Sequence, residues 1–241
     1  MPEPSTTGSG PRVVLVHGAM DRASGFARCL RHLRDLEVVR YDRRGYGRSL
    51  AAGPAPLDGH VGDLLAVLDG RPATVVGHSF GGLIALAAAV RCPRLVASVG
   101  AYEPPVPWAP WWPGRRGGTS DVDPGDAAER FLRRAIGDRA WERLPAGVRA
   151  ARRAEGPAML AELRDLVAAP AFDPAAVRQP ALLGHGGDVD GHHARAVVEL
   201  AGAMPNAAVT VLEGADHGVH LSEPAAFAAF VRRALDLGYH G

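Results

Sequence analysis

Lysine is absent from the 241-residue sequence, so every basic side chain other than histidine is arginine. With the heavy use of alanine, glycine and proline, this marks a high-GC coding bias and carries no chemistry. Cysteine is scarce. Cys29 and Cys92 stand in apolar, helix-like surroundings and read as buried free thiols, which excludes a disulfide framework. Neither sits in a metal-type Cys/His spacing, so no metal is expected. Excess charge of one sign is lacking too. A formal net charge of +1 provides no global field for nucleic acid or for an anionic membrane. No apolar run is long enough to span a bilayer. Residues Met1 to Arg12 hold no apolar core of the signal-peptide kind, so the expectation is a cytoplasmic protein with a disordered leader over 1–11. No phosphate-cradling loop, dinucleotide fingerprint or internal repeat occurs, and no cofactor is implied. The remainder, 47% hydrophobic and 22% charged, suits one globular domain over 12–241. Its expected partner is a small-molecule substrate, and its expected state is a monomer or homodimer.

Short β-branched runs alternate with helical patterns over the first hundred residues. Val13–Val16, Glu37–Tyr41, Ala73–Val76 and Leu95–Ala101 read as strands. Ser24–Leu36, Val61–Leu68 and Leu83–Val90 read as helices. Apolar strands joined by helical crossovers imply an α/β fold with a mostly parallel sheet covered on both faces. The pattern breaks after Glu103. Pro104 to Gly118 carries five prolines and three tryptophans, Trp108, Trp111 and Trp112, and cannot be a regular helix or a central strand. Helical segments rich in arginine and glutamate follow, reading as solvated faces. The alternation resumes at Ala181 and ends in a helix over Ala225–Leu237. A helical insertion over about 104–175 therefore interrupts the α/β core.

Gly77-His78-Ser79-Phe80-Gly81-Gly82 follows a strand and precedes an apolar helix, the context a nucleophile elbow requires. Such a turn strains the serine backbone and demands small neighbours. A serine hydroxyl needs a positioned base near neutral pH. His217, in Gly214-Ala215-Asp216-His217 after the last strand, is the candidate; His220 reads as packing or hydrogen bonding near that loop. The adjacent pair His192-His193 lacks an accompanying ligand pattern.

Together with Val14-Leu15-Val16-His17-Gly18 and Asp42-Arg43-Arg44-Gly45-Tyr46-Gly47-Arg48-Ser49, these segments resemble the α/β-hydrolase superfamily in order and spacing across nearly the whole chain. The resemblance implies a helical cap at the insertion and an oxyanion hole formed by the backbone N–H groups of Ala19 and Phe80. Each such donor contributes about 3–4 kcal/mol in comparable sites. It also implies a carboxylate that orients the histidine, and two positions compete for that role. Members most often place the acid after the strand that resumes beyond the cap, where Asp188 and Asp190 straddle the position. Others, haloalkane dehalogenases among them, place a Glu directly after the strand following the nucleophile, where Glu103 lies 24 residues after Ser79. Glu103 ranks ahead of Asp188, and Asp190 last.

Serine at the nucleophile position points to an acyl-enzyme, hence to hydrolysis of a carboxylic ester or thioester. Met20 and the three tryptophans are the candidate substrate-binding residues, for a small and largely apolar substrate. Cofactor-free C–C hydrolysis or lyase chemistry uses the same residues. A catalytically silent small-molecule-binding protein is the reading of another class.

Overall fold

In the computed structural model of the protein, residues 2–113, 122–168 and 170–239 are described. Among them seven strands form one sheet: β1 (Ser5–Thr7), β2 (Arg12–Val16), β3 (Glu37–Arg40), β4 (Ala73–His78), β5 (Val96–Tyr102), β6 (Ala181–Gly186) and β7 (Ala207–Leu212). Their order is β1-β3-β2-β4-β5-β6-β7. Every pairing is parallel except β1 with β3. The helices are α1 (Leu57–Leu68), α2 (Phe80–Arg91), α3 (Pro124–Ile136), α4 (Asp138–Arg143), α5 (Ala146–Arg153), α6 (Gly156–Ala168), α7 (His192–Gly202), α8 (Val219–Ser222) and α9 (Pro224–Tyr239). None is long and apolar enough to cross a membrane.

The strand period of two sorts the central residues onto two cores. Val14, Val16 and Val75 face a cluster completed by α1, α2 and α7. Val13, Leu15 and Val76 face one completed by α9 and by Phe26 and Leu33. In α2, every residue from Phe80 to Ala89 is buried, because alanines let the helix lie close to the sheet.

Two expectations are corrected. The leader taken as disordered contains β1: Ser5–Thr7 pairs with the outer edge of β3, whose N–H and C=O groups would otherwise lack partners, and the chain turns back through Gly8 and Gly10 at positive φ. The helix expected over Ser24–Leu36 is instead two short 3₁₀ turns, Ala23–Arg28 and Leu30–His32. Its apolar spacing did mark the buried side, since Phe26 and Leu33 are buried. Arg22, however, offers the first turn no side-chain cap, and Gly25 weakens an α-helix.

Helices α3 to α6 lie between β5 and β6. Two buried carboxylates seat them on the core. Glu155 accepts from the Arg22 guanidinium at 2.7 Å and from the Gly47 N–H at 2.9 Å. Glu162, on α6, receives Arg43 Nη1 at 2.6 Å and the Tyr46 hydroxyl at 2.9 Å, with His60 Nε2 at 3.2 Å. Arg43, His60, Tyr46 and Glu162 are all essentially inaccessible to solvent. Burial opposes the Glu162 charge, but Arg43 and His60 outweigh it and hold the carboxyl down to about 2. The arginines of the insertion, Arg133, Arg149 and Arg153, pair with Glu129, Glu142 and Asp126 on the surface, where solvent screening leaves such pairs little weight in stability.

Candidate active site

Three of the four non-glycine residues with positive φ among the described residues stand together: Met20, Ser79 and Glu103, at φ 55°, 54° and 46°. Side-chain-bearing residues adopt this region at a cost, and such strain collects at functional sites. Ser79 sits between the end of β4 and the start of α2. The elbow is too tight for side chains on its flanks. A Cβ on Gly77 would stand 2.0 Å from the Gly81 carbonyl oxygen, and one on Gly81 would stand 2.1 Å from that of Val16. Phe80 opens α2, where the first N–H groups have no intrahelical acceptor and the helix dipole favours negative charge.

The loop Gly18–Met20 lies alongside. A Cβ on Gly18 would meet the Ser79 Cβ at 2.9 Å, which brings the neighbouring Ala19 backbone next to the serine. His17 holds this loop from beneath. Its Nε2 accepts the Arg43 N–H at 2.9 Å, so the proton is on Nδ1, which donates to the Gly18 carbonyl at 2.8 Å. Burial, aided by Arg43, pushes His17 down to about 3 and keeps it neutral. The Arg43 guanidinium donates to the carbonyls of His17 and Gly18 at 2.9 and 3.0 Å and lies between the rings of Tyr46 and Phe80. Glu162 on the insertion thus reaches the Gly18 loop through one side chain.

His217 and Glu103 are joined. His217 Nδ1 lies 2.6 Å from Glu103 Oε2, and Glu103 Oε1 accepts the Gly186 N–H at 2.8 Å. Both carboxylate oxygens are therefore engaged. Burial raises the Glu103 carboxyl, but these two hydrogen bonds more than offset it and leave it ionised below its usual range. The loop carrying His217 is pinned by its carbonyls. His78 Nε2 donates to that of His217 at 2.6 Å, and the Tyr102 hydroxyl donates to that of Asp216 at 2.9 Å. The His217 ring has His78 on one side, with centroids 4.7 Å apart, and stacks with His193 at 4.5 Å and 17°. Burial and the neighbouring His217 press His193 down to about 3. Ser79 Oγ makes no hydrogen bond to a described residue.

The structure separates the two acid candidates. Glu103 bonds His217. Asp188 stands on the exposed Gly187–Gly191 turn, and among the described residues nothing joins it to His217, although it lines the same small hollow. Asp190 is exposed as well. His220 bonds Asp21 at 2.9 Å behind the elbow. Of the substrate-binding candidates, Met20 is 3% exposed and packs against Trp141, Met159 and Leu160 of the insertion. Trp108 is half-buried against the main core. Trp111 is held to α7 by Glu199 and by Arg195, whose guanidinium lies 4.1 Å from its ring centroid. Trp112 packs edge-to-face with His192 and His193, at 4.7 and 5.2 Å, and His193 in turn stacks on His217. The rest of the Trp-rich segment, 114–118, lies outside the described residues.

Sequence reasoning missed Glu162 and His193. Glu162 is one acid among many in an arginine–glutamate segment and carries no local signal. His193 carried one, its pairing with His192, but its neighbours come from β5 and the 214–217 loop, far away in the chain.

A profile described as "Alpha/beta hydrolase family" matches residues 13–230. The lipase LipV of Mycobacterium tuberculosis is 38% identical over 102 residues, 41% of this chain and 39% of that protein. A pimeloyl-[acyl-carrier protein] methyl ester esterase of Methylococcus capsulatus is 34% identical over 139 residues, 53% of this chain and 54% of that one. The matched part is thus about four-tenths to half the length of these curated relatives. The crystal structure of the enol-lactonase of Burkholderia xenovorans superposes with a TM-score of 0.73 at 25% identity, covering 98% of this chain and 96% of that one.

Proposed function

The chain belongs to the alpha/beta hydrolase family, and from that membership we propose that it is a serine hydrolase cleaving a carboxylic ester or thioester of a small, largely apolar substrate. The observation that carries this reading is the strained Ser79 at a helix N-terminus, whose N–H donates to the Tyr102 carbonyl next to Glu103 and whose neighbour His78 donates to the carbonyl of His217, a histidine with its Nδ1 held by a buried, ionised carboxylate. Ser79 attacks the acyl carbon, and His217 takes the hydroxyl proton through Nε2. Glu103 fixes the tautomer that makes this possible and stabilises the imidazolium that forms. The N–H groups of Ala19 and Phe80 receive the oxygen that becomes negative. His217 then protonates the leaving alcohol or thiol, and water repeats the sequence on the acyl-enzyme. The names of the relatives, a lipase, a methyl ester esterase and a lactonase, agree on attack at an acyl carbon.

A fluorophosphonate probe tests the reading. Labelling of the intact protein that vanishes in Ser79→Ala, together with turnover of simple esters or thioesters, is the expected result. An intact, folded protein that takes no label would instead be a silent binding member of the fold.

Trp112 forms one wall of the acyl or alcohol site in this reading, and Trp111 serves as a fastener to α7. Trp112→Ala therefore raises KM for aryl or long-chain esters about tenfold, the equivalent of one lost aromatic contact of about 1–1.5 kcal/mol. KM for acetyl esters changes little, as does either constant in Trp111→Ala. Equal effects of Trp112→Ala on both ester classes would count against a wall at Trp112.

A further inference from the structure

Beside the Glu103–His217 pair the fold assembles a third donor that the reaction does not use. Glu103, His193 and His217 each present one ligand-type atom, and these atoms lie within 4.8 Å of one another. The Nδ1 of His193 is buried and has no hydrogen-bond partner. A hollow of about 250 Å³ opens at the same place, lined by Glu103, His193 and His217 and also by His192, Asp188 and Asp216. Two imidazoles and a carboxylate suit a borderline transition-metal dication rather than Mg²⁺ or Ca²⁺, which prefer oxygen donors throughout.

We propose that Glu103, His193 and His217 form a reversible inhibitory site for a Zn²⁺-type dication. The rings of His193 and His217 stack nearly parallel, and a metal binds in the plane of each ring. One ring must therefore tilt, and the hollow gives it room. The three donors come from different elements: Glu103 from the end of β5, His193 from the first turn of α7 and His217 from the loop before α8. The site therefore exists only in the folded chain.

Inhibition follows from the chemistry of a single imidazole. Neutral His217 has one N–H and one lone pair. A metal on Nε2 takes the lone pair that receives the serine proton. A metal on Nδ1 moves the proton to Nε2 and removes that acceptor just the same. Either way the base is disabled, and a chelator restores it. The binding half of the proposal rests on geometry alone; the inhibitory half rests on His217 being the base.

The test is titration of the whole protein with zinc sulfate, read by calorimetry and by ester hydrolysis in parallel. Wild type and Ser79→Ala are expected to bind one ion per chain, with MgSO₄ giving no binding. His193→Phe keeps an aromatic ring on His217 but removes the donor, and weakens zinc binding at least about tenfold. In the activity arm, wild-type hydrolysis falls along the same titration curve and returns with EDTA. His193→Phe, measured against its own metal-free rate, needs at least about tenfold more zinc for the same loss. Absence of zinc binding, or equal affinity in folded His193→Phe, would overturn the site. Zinc binding that leaves hydrolysis untouched would overturn the inhibition. A protein that hydrolyses no ester but binds zinc through His193 would keep the site and remove the hydrolase reading.

Discussion

Glu103→Gln is expected to cost about four orders of magnitude in kcat with KM little changed, while Asp188→Asn stays within a few fold of wild type. A glutamine of the same shape cannot carry the negative charge that stabilises the His217 imidazolium. It also presents an NH₂ or a neutral carbonyl where His217 Nδ1–H needs a carboxylate. The charge has further support, since the Gly186 N–H donates to the other oxygen of Glu103 at 2.8 Å. Asp188 has neither contact. Steady-state kinetics on the two variants, with circular dichroism to show that both fold, decide the matter. Near-full activity of Glu103→Gln would remove Glu103 from the proposed triad.

The second large effect is on stability. Glu162→Leu leaves the Arg43 guanidinium buried without its carboxylate, a change that costs about 3–5 kcal/mol, on the order of 10 °C in Tm for a domain of this size. Arg43→Met leaves Glu162 in the corresponding position. The double variant should lose clearly less than the sum of the two, by at least about 2 kcal/mol of coupling. It should not recover fully, because the Tyr46 hydroxyl and the carbonyls of His17 and Gly18 lose partners as well. Denaturant unfolding of the four proteins measures the cycle, and strict additivity would contradict the ion pair. The pH dependence has a definite sign. The Glu162 carboxyl is depressed in the fold to about 2. Its contribution is therefore complete above its unfolded value of about 4.3 and is lost as pH falls from there toward about 2.

What could be read from the sequence depended on how local each feature is. The elbow is six consecutive residues between a strand and a helix, so Ser79 was legible from its neighbours alone. His217 was legible from its place after the last strand. The choice between Glu103 and Asp188 was not, because it turns on register. Tyr102 pairs with Gly184 across β5 and β6, which brings the next residue, Glu103, to the Gly186 N–H and the His217 loop. The four strands expected in the first hundred residues agree with β2 to β5 within a residue or two at each end, whereas β1 was missed. A three-residue polar strand has no periodicity to detect, and only the open edge of β3 calls for it. Helix α5 went unremarked for a related reason: its eight residues include no buried one.

Arg43 has its hydrogen bonds divided between two parts of the protein, the Gly18 loop below and α6 above. This bears on how insertions can be exchanged between relatives. Helices grafted from another protein would bring their own residue to the Glu162 position. Unless that residue were a carboxylate, Arg43 would be left with an unmatched charge beneath the loop that carries Ala19. The piece that can be transplanted intact is therefore larger than the insertion. It comprises α3 to α6 together with the Asp42–Ser49 loop, and a chimera that moves one without the other should carry a stability loss of the size expected for Glu162→Leu, about 3–5 kcal/mol, on top of any change in specificity.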